Sequence, residues 1–213
     1  MTTVHLWFSP GACSLAPHIL LKEIEIPFET TKLNVRAGFP EEFRHLNPKM
    51  RVPVLSLNGE IITENPAVMT AISQLCPGKH LMGETQLETI RVYEWMNWLS
   101  GTLHGQAFGG LWRAYSFSDD ASSYDAIRAK SQKTIAECFD DIERKLSAGH
   151  AVGERFTAVD AFLFVFYRWG FELKFDMRGK YPKYTALAAE MVKRKSVQAA
   201  LTAEGLKAPA SLL

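Results

Sequence analysis

The chain has 213 residues, of which 47% are hydrophobic and 22% charged, a balance typical of globular proteins with room for two small domains. The formal net charge is only +1 and no basic run is present, which argues against nucleic acid or an anionic membrane as a partner. No apolar run reaches membrane-spanning length, and the N-terminus enters a strand pattern without a basic flank, so we expect neither a membrane span nor a signal peptide.

The cysteines indicate the cellular compartment, and the histidines indicate whether a metal site is expected. The three cysteines, Cys13, Cys76 and Cys138, are far apart in the sequence. An odd, sparse set is typical of a reducing compartment, so we expect a cytoplasmic protein without a disulfide framework. The six histidines show no metal-ligand spacing, and we expect no metal.

The first elements are a buried strand at residues 4–8, a turn at Pro10-Gly11 and a helix over residues 19–23. Cys13 therefore falls at the start of a helix, where the helix dipole and unpaired backbone N–H groups favour a thiolate. Pro17 is compatible with the first helical turn if Ser14 is the N-cap. The alternative is that Cys13 is a small buried hydrophobic residue, and the position alone does not decide between the two.

Residues 27–33 alternate weakly and predict a second strand, which gives a β-α-β unit with a parallel pair. A polar loop over residues 34–47 follows, with a short helix near residues 41–46. Residues 52–57 and 60–63 predict a hairpin around Asn58-Gly59. Pro53 is unusual at the start of a buried strand, and either a cis Val52-Pro53 bond or a trans proline on a sheet edge explains it.

The next helix ends the first domain. Asn65 is a good N-cap and Pro66 a good first helical residue, with helical spacing over residues 67–75. This order of elements predicts a thioredoxin-like domain over residues 1–78, followed by a short linker.

From residue 87 onward the pattern predicts helices and no strand, so the fold class is a two-domain α+β/α arrangement with an all-α domain over residues 87–213. The predicted helices span about 87–117, 121–147, 157–174, 183–194 and 196–204. Thr157 and Asp160 have the spacing of a helix-capping pair. Residues 161–166 are apolar on every side, which predicts a central helix.

Thioredoxin-like folds often place a Cys-x-x-Cys pair at the first turn, but the residue three after Cys13 is Ala16. The chain therefore supplies no second thiol locally, and a sulfur partner for Cys13 must come from outside. A small thiol such as glutathione is the obvious candidate.

At this point the whole chain resembles the cytosolic glutathione transferase superfamily, and most of all its bacterial beta class. The resemblance rests on five motifs in order and spacing: Pro10-Gly11-Ala12-Cys13-Ser14-Leu15-Ala16-Pro17-His18, Asn47-Pro48-Lys49 with Val52-Pro53-Val54-Leu55, Thr63-Glu64-Asn65, Glu94-Trp95-Met96-Asn97 with His104, and Phe156-Thr157-Ala158-Val159-Asp160-Ala161.

The resemblance implies that Cys13 faces the sulfur of glutathione and forms a mixed disulfide with it. It also implies that the backbone of Val52, before a cis Pro53, pairs with the cysteinyl part of glutathione, and that Glu64 and Asn65 hold its γ-glutamyl end. The residues agree, because a helix N-terminus suits a carboxylate and Glu64 can accept an ammonium. The alternatives are simple capping for Asn65 and a solvated charge for Glu64.

The long helix carries further implied site residues. Asn97 and His104 are seven residues apart and would share a face of a regular helix. The resemblance implies that Asn97 helps to bind glutathione and that His104 lies beside the Cys13 sulfur, as donor or proton acceptor. Beta-class enzymes often have a lysine where this chain has Gly105, and Arg36 is the nearest match for the lysine that binds the glycyl carboxylate.

Aromatic side chains predict an apolar pocket for a second substrate, since such pockets suit aryl or alkyl electrophiles. The candidates are Phe8, Phe108, Trp112, Tyr115 and Trp169. The alternative for each is plain core or a dimer interface. Gly109-Gly110 weakens the helix and predicts a bend near this pocket.

The sequence thus predicts a glutathione transferase, with glutathione as co-substrate, that acts in detoxification on a small apolar electrophile. Thiol–disulfide exchange, peroxide reduction or removal of glutathione from conjugates remain open as activities through Cys13. The rival hypothesis is a non-catalytic binding or regulatory module of the same fold, and a weaker one is a glutathione-dependent isomerase or dehalogenase. The resemblance also implies a homodimer.

Overall fold

The β-sheet occupies the first third of the chain. A computed structural model describes residues 2–35, 37–147, 149–209 and 212. Its strands are β1 (Val4–Phe8), β2 (Glu29–Lys32), β3 (Val54–Leu57) and β4 (Glu60–Thr63), in the spatial order β2-β1-β3-β4. β1 and β2 are parallel and are joined by helix α1 (Leu15–Ile24), so the predicted β-α-β unit is confirmed.

The predicted hairpin is also confirmed. β3 and β4 are antiparallel, with Leu57 opposite Glu60, and the turn between them has positive φ at both Asn58 and Gly59. This is the backbone of the two-residue turn that matches strand twist, and Asn-Gly adopts it most readily. The Val52–Pro53 bond just before β3 is cis, the first of the two alternatives.

The helices follow the predicted order with ends shifted by a few residues. They are α2 (Asn65–Leu75), α3 (Gln86–Trp98), α4 (Gly109–Trp112), α5 (Tyr124–Lys145), α6 (Ala158–Glu172), α7 (Met177–Lys180), α8 (Pro182–Lys193) and α9 (Lys195–Glu204). The short helix expected near residues 41–46 is a single 3₁₀ turn, Glu41–Phe43. The sequence pattern missed α7, because four residues are too few to show a period. No helix in the described ranges has the length and apolar character needed to cross a bilayer.

One helix contains a long irregular segment. α3 continues through Leu99–Phe108 into α4, and in that segment the hydrogen bonds close wide π-type turns. Wide turns rotate each residue by less than an α-helix does, so the seven-residue spacing of Asn97 and His104 no longer corresponds to two full turns. The irregularity lies before Gly109-Gly110, where the sequence predicted a bend. A Cβ on Gly110 would lie 2.2 Å from the Ser131 Oγ, so this glycine lets α4 approach α5 closely.

The central helix of the second domain is α6. Residues 158–170 of this helix are all buried, as its uninterrupted apolar run predicted. Asp160 Oδ2 accepts a hydrogen bond from the Thr157 backbone N–H at 2.7 Å, and its Oδ1 accepts from the Ala151 N–H at 2.8 Å. The predicted capping pair is confirmed, and its aspartate also ties the preceding loop to the helix.

The two domains meet along α1. This helix packs against α6 and α9 of the helical domain and against α2 of its own domain. At its C-terminal end, Glu23 accepts a hydrogen bond from Arg194 Nη2 at 2.5 Å. Because α1 is covered by the second domain, side chains of α6 and α9 reach the turn that precedes it.

Candidate active site

The turn between β1 and α1 is closed by its own polar groups. The Ser14 hydroxyl donates to the Ser9 carbonyl and accepts from the Ser9 N–H, at 3.2 and 3.1 Å, and the Ala12 N–H donates to the Ser9 carbonyl at 3.0 Å. Ser14 holds the N-cap position of α1, but its side chain bonds backward into the turn instead of capping the helix. The turn thereby places Cys13 immediately before α1.

The Cys13 thiol is buried. Its side chain is 6% exposed, and its Sγ donates a hydrogen bond to the Val52 carbonyl oxygen at 3.3 Å. Burial raises the pKa of Cys13 to about 12, against the smaller lowering effects of nearby backbone N–H groups and of the positive charges of Arg113 and Arg51. Of the two alternatives for Cys13, the structure therefore favours the buried thiol over the thiolate, because desolvation outweighs the helix N-terminus.

Asn65 connects α2 to the same turn. Its Nδ2 donates to the Cys13 carbonyl oxygen at 3.0 Å, and its Oδ1 is buried without a hydrogen-bond partner among the described residues. The helix begins at Asn65 itself, so the predicted N-cap role is wrong and Glu64 occupies the cap position with φ of 69°. Asn65 instead holds the backbone on which Cys13 is presented.

Glu64 already has a cationic neighbour. Its carboxylate forms an ion pair with the Lys49 ammonium, which also donates to the Thr63 hydroxyl at 3.0 Å. Both charged side chains are more than half exposed, so the pair exchanges readily with solvent and other ions. This exposure agrees with the alternative of a solvated charge for Glu64, which here has a lysine beside it.

His104 lies on the wide-turn segment and packs against α6. Its ring centroid is 5.4 Å from that of Trp169 and 6.0 Å from that of Phe166. Burial, and then the positive charges of Arg113 and Arg51, lower the pKa of His104 to about 4. The imidazole is therefore neutral near pH 7. Asn97, on α3, is exposed.

The predicted aromatic residues divide into three groups. Phe108, Trp112 and Trp169 form a mutual cluster with ring centroids 4.8–4.9 Å apart, and we call these three residues the aromatic wall. Phe8 is 3% exposed and packs on His18 in the core of the first domain, as the plain-core alternative described. Tyr115 is 63% exposed and lies outside this cluster.

The backbone N–H and the backbone carbonyl of Gly11 are both bound by the helical domain. The Gly11 N–H donates to Glu204 Oε2 at 2.9 Å, and the Gly11 carbonyl accepts from Trp169 Nε1 at 2.8 Å. The other oxygen of Glu204 accepts from His18 Nδ1 at 2.9 Å, and both side chains are buried. Gly11 has a φ of 71°, which glycine adopts without strain. We call this set of contacts the Gly11 clamp.

Sequence reasoning missed Glu204, Arg51 and Arg113. A signal for Glu204 was present, because it follows Val197, Ala200 and Leu201 on the buried face of α9, where an acid needs a partner. No periodicity points to the two arginines, whose charges act on both Cys13 and His104. Arg36, the predicted glycyl-carboxylate residue, lies outside the described residues. Within those residues, no group of three or more His, Cys, Asp or Glu could hold a metal ion.

Comparison with known proteins identifies the family. Residues 2–72 match the family "Glutathione S-transferase, N-terminal domain", and residues 112–195 match "Glutathione S-transferase, C-terminal domain". The glutathione S-transferase GstA of Escherichia coli O157:H7 is 32% identical, over 95% of this chain and 99% of that protein. The chain belongs to the glutathione S-transferase family. The predicted glutathione transferase is thereby confirmed at the level of the family.

Solved structures extend this result. A glutathione transferase homologue from sulfitobacter, determined with bound glutathione, has a TM-score of 0.90 at 28% identity and covers 97% of this chain and 100% of that one. The bacterial beta class enzyme of Sphingomonas chungbukensis has a TM-score of 0.82 at 32% identity, covering 95% and 100%. The predicted resemblance to the beta class is confirmed, as is the fold of a thioredoxin-like domain followed by a helical domain.

The Gly11 clamp yields a stability prediction. Replacing Glu204 with alanine removes the acceptor of the Gly11 N–H and the partner of His18, and should lower the free energy of unfolding by about 3 kcal/mol in urea denaturation. Glu204→Gln keeps one acceptor and should cost less. The control is Glu190→Ala, whose exposed pair with Lys193 should contribute less than about 0.5 kcal/mol. A Glu204→Ala protein as stable as the control would contradict the clamp.

The raised pKa of Cys13 yields a reactivity prediction. Alkylation of Cys13 by iodoacetamide, followed by mass spectrometry of its peptide across pH, should have a midpoint above that of a free thiol, about 8.5. The same measurement on protein unfolded in urea gives the reference midpoint. A midpoint for the folded protein below that reference would show that Cys13 is activated after all.

Proposed function

We propose that this glutathione transferase binds glutathione at the Cys13 turn and joins its sulfur to an apolar electrophile held by the helical domain. The observation that supports this most directly is the 3.3 Å contact between the Cys13 thiol and the Val52 carbonyl. The contact places Cys13 next to Val52, the residue before cis Pro53. The family resemblance puts the sulfur of glutathione at Cys13 and its cysteinyl backbone at Val52. The sulfitobacter homologue was determined with bound glutathione, which supports glutathione as the ligand of this fold.

In this proposal residues 1–78 bind glutathione and residues 87–213 hold the second substrate. Val52 and Pro53 position the cysteinyl part, while Glu64, Asn65 and Asn97 hold the γ-glutamyl end. Lys49 must then share Glu64 with the glutathione ammonium, which the exposure of the pair permits. Asn65 offers its unpartnered Oδ1 as an additional acceptor. Arg36 remains the proposed partner of the glycyl carboxylate.

Cys13 in its thiol form acts as a hydrogen-bond donor. A glutathione thiolate beside Cys13 accepts the hydrogen bond that the Cys13 S–H group donates to the Val52 carbonyl in this structure. That hydrogen bond stabilises the negative charge on the glutathione sulfur. The sulfur then attacks the electrophile, its electron pair forms the new C–S bond, and the leaving group departs with the electrons of the broken bond. His104 is neutral and can hydrogen-bond the sulfur of glutathione, whereas its lowered pKa disfavours it as the proton acceptor, so the thiol proton passes to solvent.

Thiol–disulfide exchange is the second candidate activity. It needs Cys13 to lose its proton and attack a glutathione disulfide, with a glutathione thiolate leaving. The raised pKa of Cys13 makes the thiolate scarce at neutral pH, which favours conjugation over exchange. A non-catalytic module is disfavoured because Cys13 contacts Val52, the residue before Pro53, and because His104 packs on Trp169, which bonds the same turn.

The test compares glutathione binding with turnover. Calorimetric titration should show glutathione binding to the wild type, and no heat at millimolar glutathione would support the non-catalytic module.

Cys13→Ala should lower kcat/KM toward a neutral activated aryl chloride by about tenfold or more, because a donor to the thiolate is lost. Cys13→Ser, which keeps a donor, should lose less, and Cys76→Ala is the control. Equal rates for wild type and Cys13→Ala would contradict the role of Cys13. An intact-mass shift by one glutathione after incubation with oxidised glutathione would favour exchange instead.

We also propose a homodimer. Leu87, Ile90 and Tyr93 lie on one face of α3 and are 62%, 61% and 40% exposed, and Ile61 on the edge strand β4 is 39% exposed. Burial of such a face against a second copy would be favourable, whereas single exposed apolar residues need no partner. Three free cysteines, Cys13, Cys76 and Cys138, agree with the proposed cytoplasmic location.

Light scattering during size-exclusion chromatography should give about twice the chain mass of 23.9 kDa. Ile90→Glu should shift the protein toward a monomer, because a charge would be buried in the interface. The control is Glu94→Gln, an exposed residue that pairs with Arg91 on the same helix. A dimer unchanged by Ile90→Glu would place the interface elsewhere.

A further inference from the structure

Two arginines beside the candidate active site lack an acidic partner. Within the described residues, neither Arg51 nor Arg113 has a carboxylate at ion-pair distance. Other arginines of the structure do have one: Arg44, Arg91, Arg128, Arg144, Arg155, Arg168 and Arg194. Arg113 is only partly exposed, and its Nε is buried without a hydrogen bond. An arginine that is partly desolvated and unpaired is costly unless it meets an anion in the working state.

The position of Arg113 is well defined. Its backbone N–H donates to the Gly109 carbonyl at 2.8 Å, and its own carbonyl accepts from the Ser116 hydroxyl at 2.8 Å. A Cβ on Gly109 would lie 3.3 Å from Arg113 Nη2 and 3.5 Å from both the His104 carbonyl oxygen and the Phe117 ring. The guanidinium thus lies against the helix that carries His104, in space that a glycine leaves open.

The charges of the same two arginines act on the titratable groups of the candidate active site. The charge of Arg113 acts on both Cys13 and His104, and that of Arg51 acts on Cys13, His104 and Arg113 itself. Arg51 directly precedes Val52, whose carbonyl holds the Cys13 thiol. Trp112, which directly precedes Arg113, belongs to the aromatic wall and is 44% exposed. A cation therefore adjoins an accessible aromatic surface at the place proposed for the second substrate.

We propose that Arg113, assisted by Arg51, binds a carboxylate of the second substrate, so that the enzyme prefers aromatic electrophiles that carry an acidic group. This inference rests on the proposed function, since it assigns a substrate class to the same site. The planar guanidinium can donate two parallel hydrogen bonds to a carboxylate, while the aromatic wall takes the ring. The carboxylate of the substrate supplies the ion-pair partner that the two arginines lack among the described residues, whereas a neutral substrate cannot.

The test uses two unreactive probes of similar shape, 2-naphthoate and the neutral 2-naphthylmethanol. Their dissociation constants are measured by calorimetry at pH 7 in saturating S-methylglutathione, which cannot transfer its sulfur. The wild type should bind naphthoate about tenfold or more tightly than the alcohol. Arg113→Gln should reduce that ratio to about one, and Arg51→Gln should reduce it partly. Arg113→Lys should be intermediate, because it keeps the charge but loses the two parallel bonds.

Arg178→Gln is the matched control, since Arg178 is an exposed arginine on α7 without an ion-pair partner among the described residues, and it should keep the wild-type ratio. A wild type that binds the acid no better than the alcohol would overturn the inference. So would a preference that survives in both Arg113→Gln and Arg51→Gln, or a loss of preference in the Arg178 control. A cooperative thermal unfolding transition shows that each variant is folded. If the Arg113→Gln protein does not fold, Arg51→Gln tests the inference in its place.

The outcomes also separate this inference from the proposed function. If S-methylglutathione and glutathione fail to bind, the proposed function fails. If both bind and the naphthoate preference is absent, only the substrate class is wrong. If Arg113→Gln weakens glutathione binding while the naphthoate preference persists, Arg113 serves glutathione rather than the second substrate, and the inference is overturned.

Discussion

The structure depends on the binding of one residue's backbone, that of Gly11, by the opposite domain. Its N–H is held by Glu204 and its carbonyl by Trp169, so the turn that presents Cys13 is completed by the helical domain. Buried backbone polar groups must have their hydrogen bonds satisfied, and the positive φ of Gly11 is one that glycine adopts without strain. The active-site turn and the packing between domains are therefore one structural feature.

The chemistry of Cys13 follows from a competition between two electrostatic effects. The start of α1 and the nearby arginines favour a thiolate, whereas removal from water favours the neutral thiol. In this structure burial is the larger effect, and the thiol donates to Val52. In the proposed function, a cysteine in this state acts as a hydrogen-bond donor to the glutathione thiolate rather than as a nucleophile.

The second half of the site is built by the helix that joins α3 to α4. Its wide turns at Leu99–Phe108 carry His104 onto the rings of α6, and the helix ends with Trp112 and Arg113. Wide turns are rare in regular helices and are frequently found at functional sites. Here they bring together the neutral imidazole, the aromatic wall and a cation that has no ion-pair partner in the part of the chain that the structure describes. A polar substrate group and an apolar ring could both be accommodated there.

The sequence by itself determined the features that depend on neighbouring residues. The Asn58-Gly59 hairpin, the β-α-β unit, the Thr157–Asp160 cap and the buried α6 all follow from turn chemistry and local periodicity, which act within a few residues. The family motifs identified the glutathione transferase for the same reason, since each is a short run of residues.

Only the tertiary structure decided which polar groups meet. Asn65 bonds the Cys13 carbonyl 52 residues away, and Glu204 bonds the Gly11 N–H 193 residues away. Local preference favoured capping for Asn65 and left the protonation of Cys13 undecided, whereas long-range packing bonded Asn65 to the Cys13 turn and buried the thiol. No periodicity in the sequence encodes such distant partners or the degree of burial that sets a pKa, so these properties appear only when the two domains are assembled.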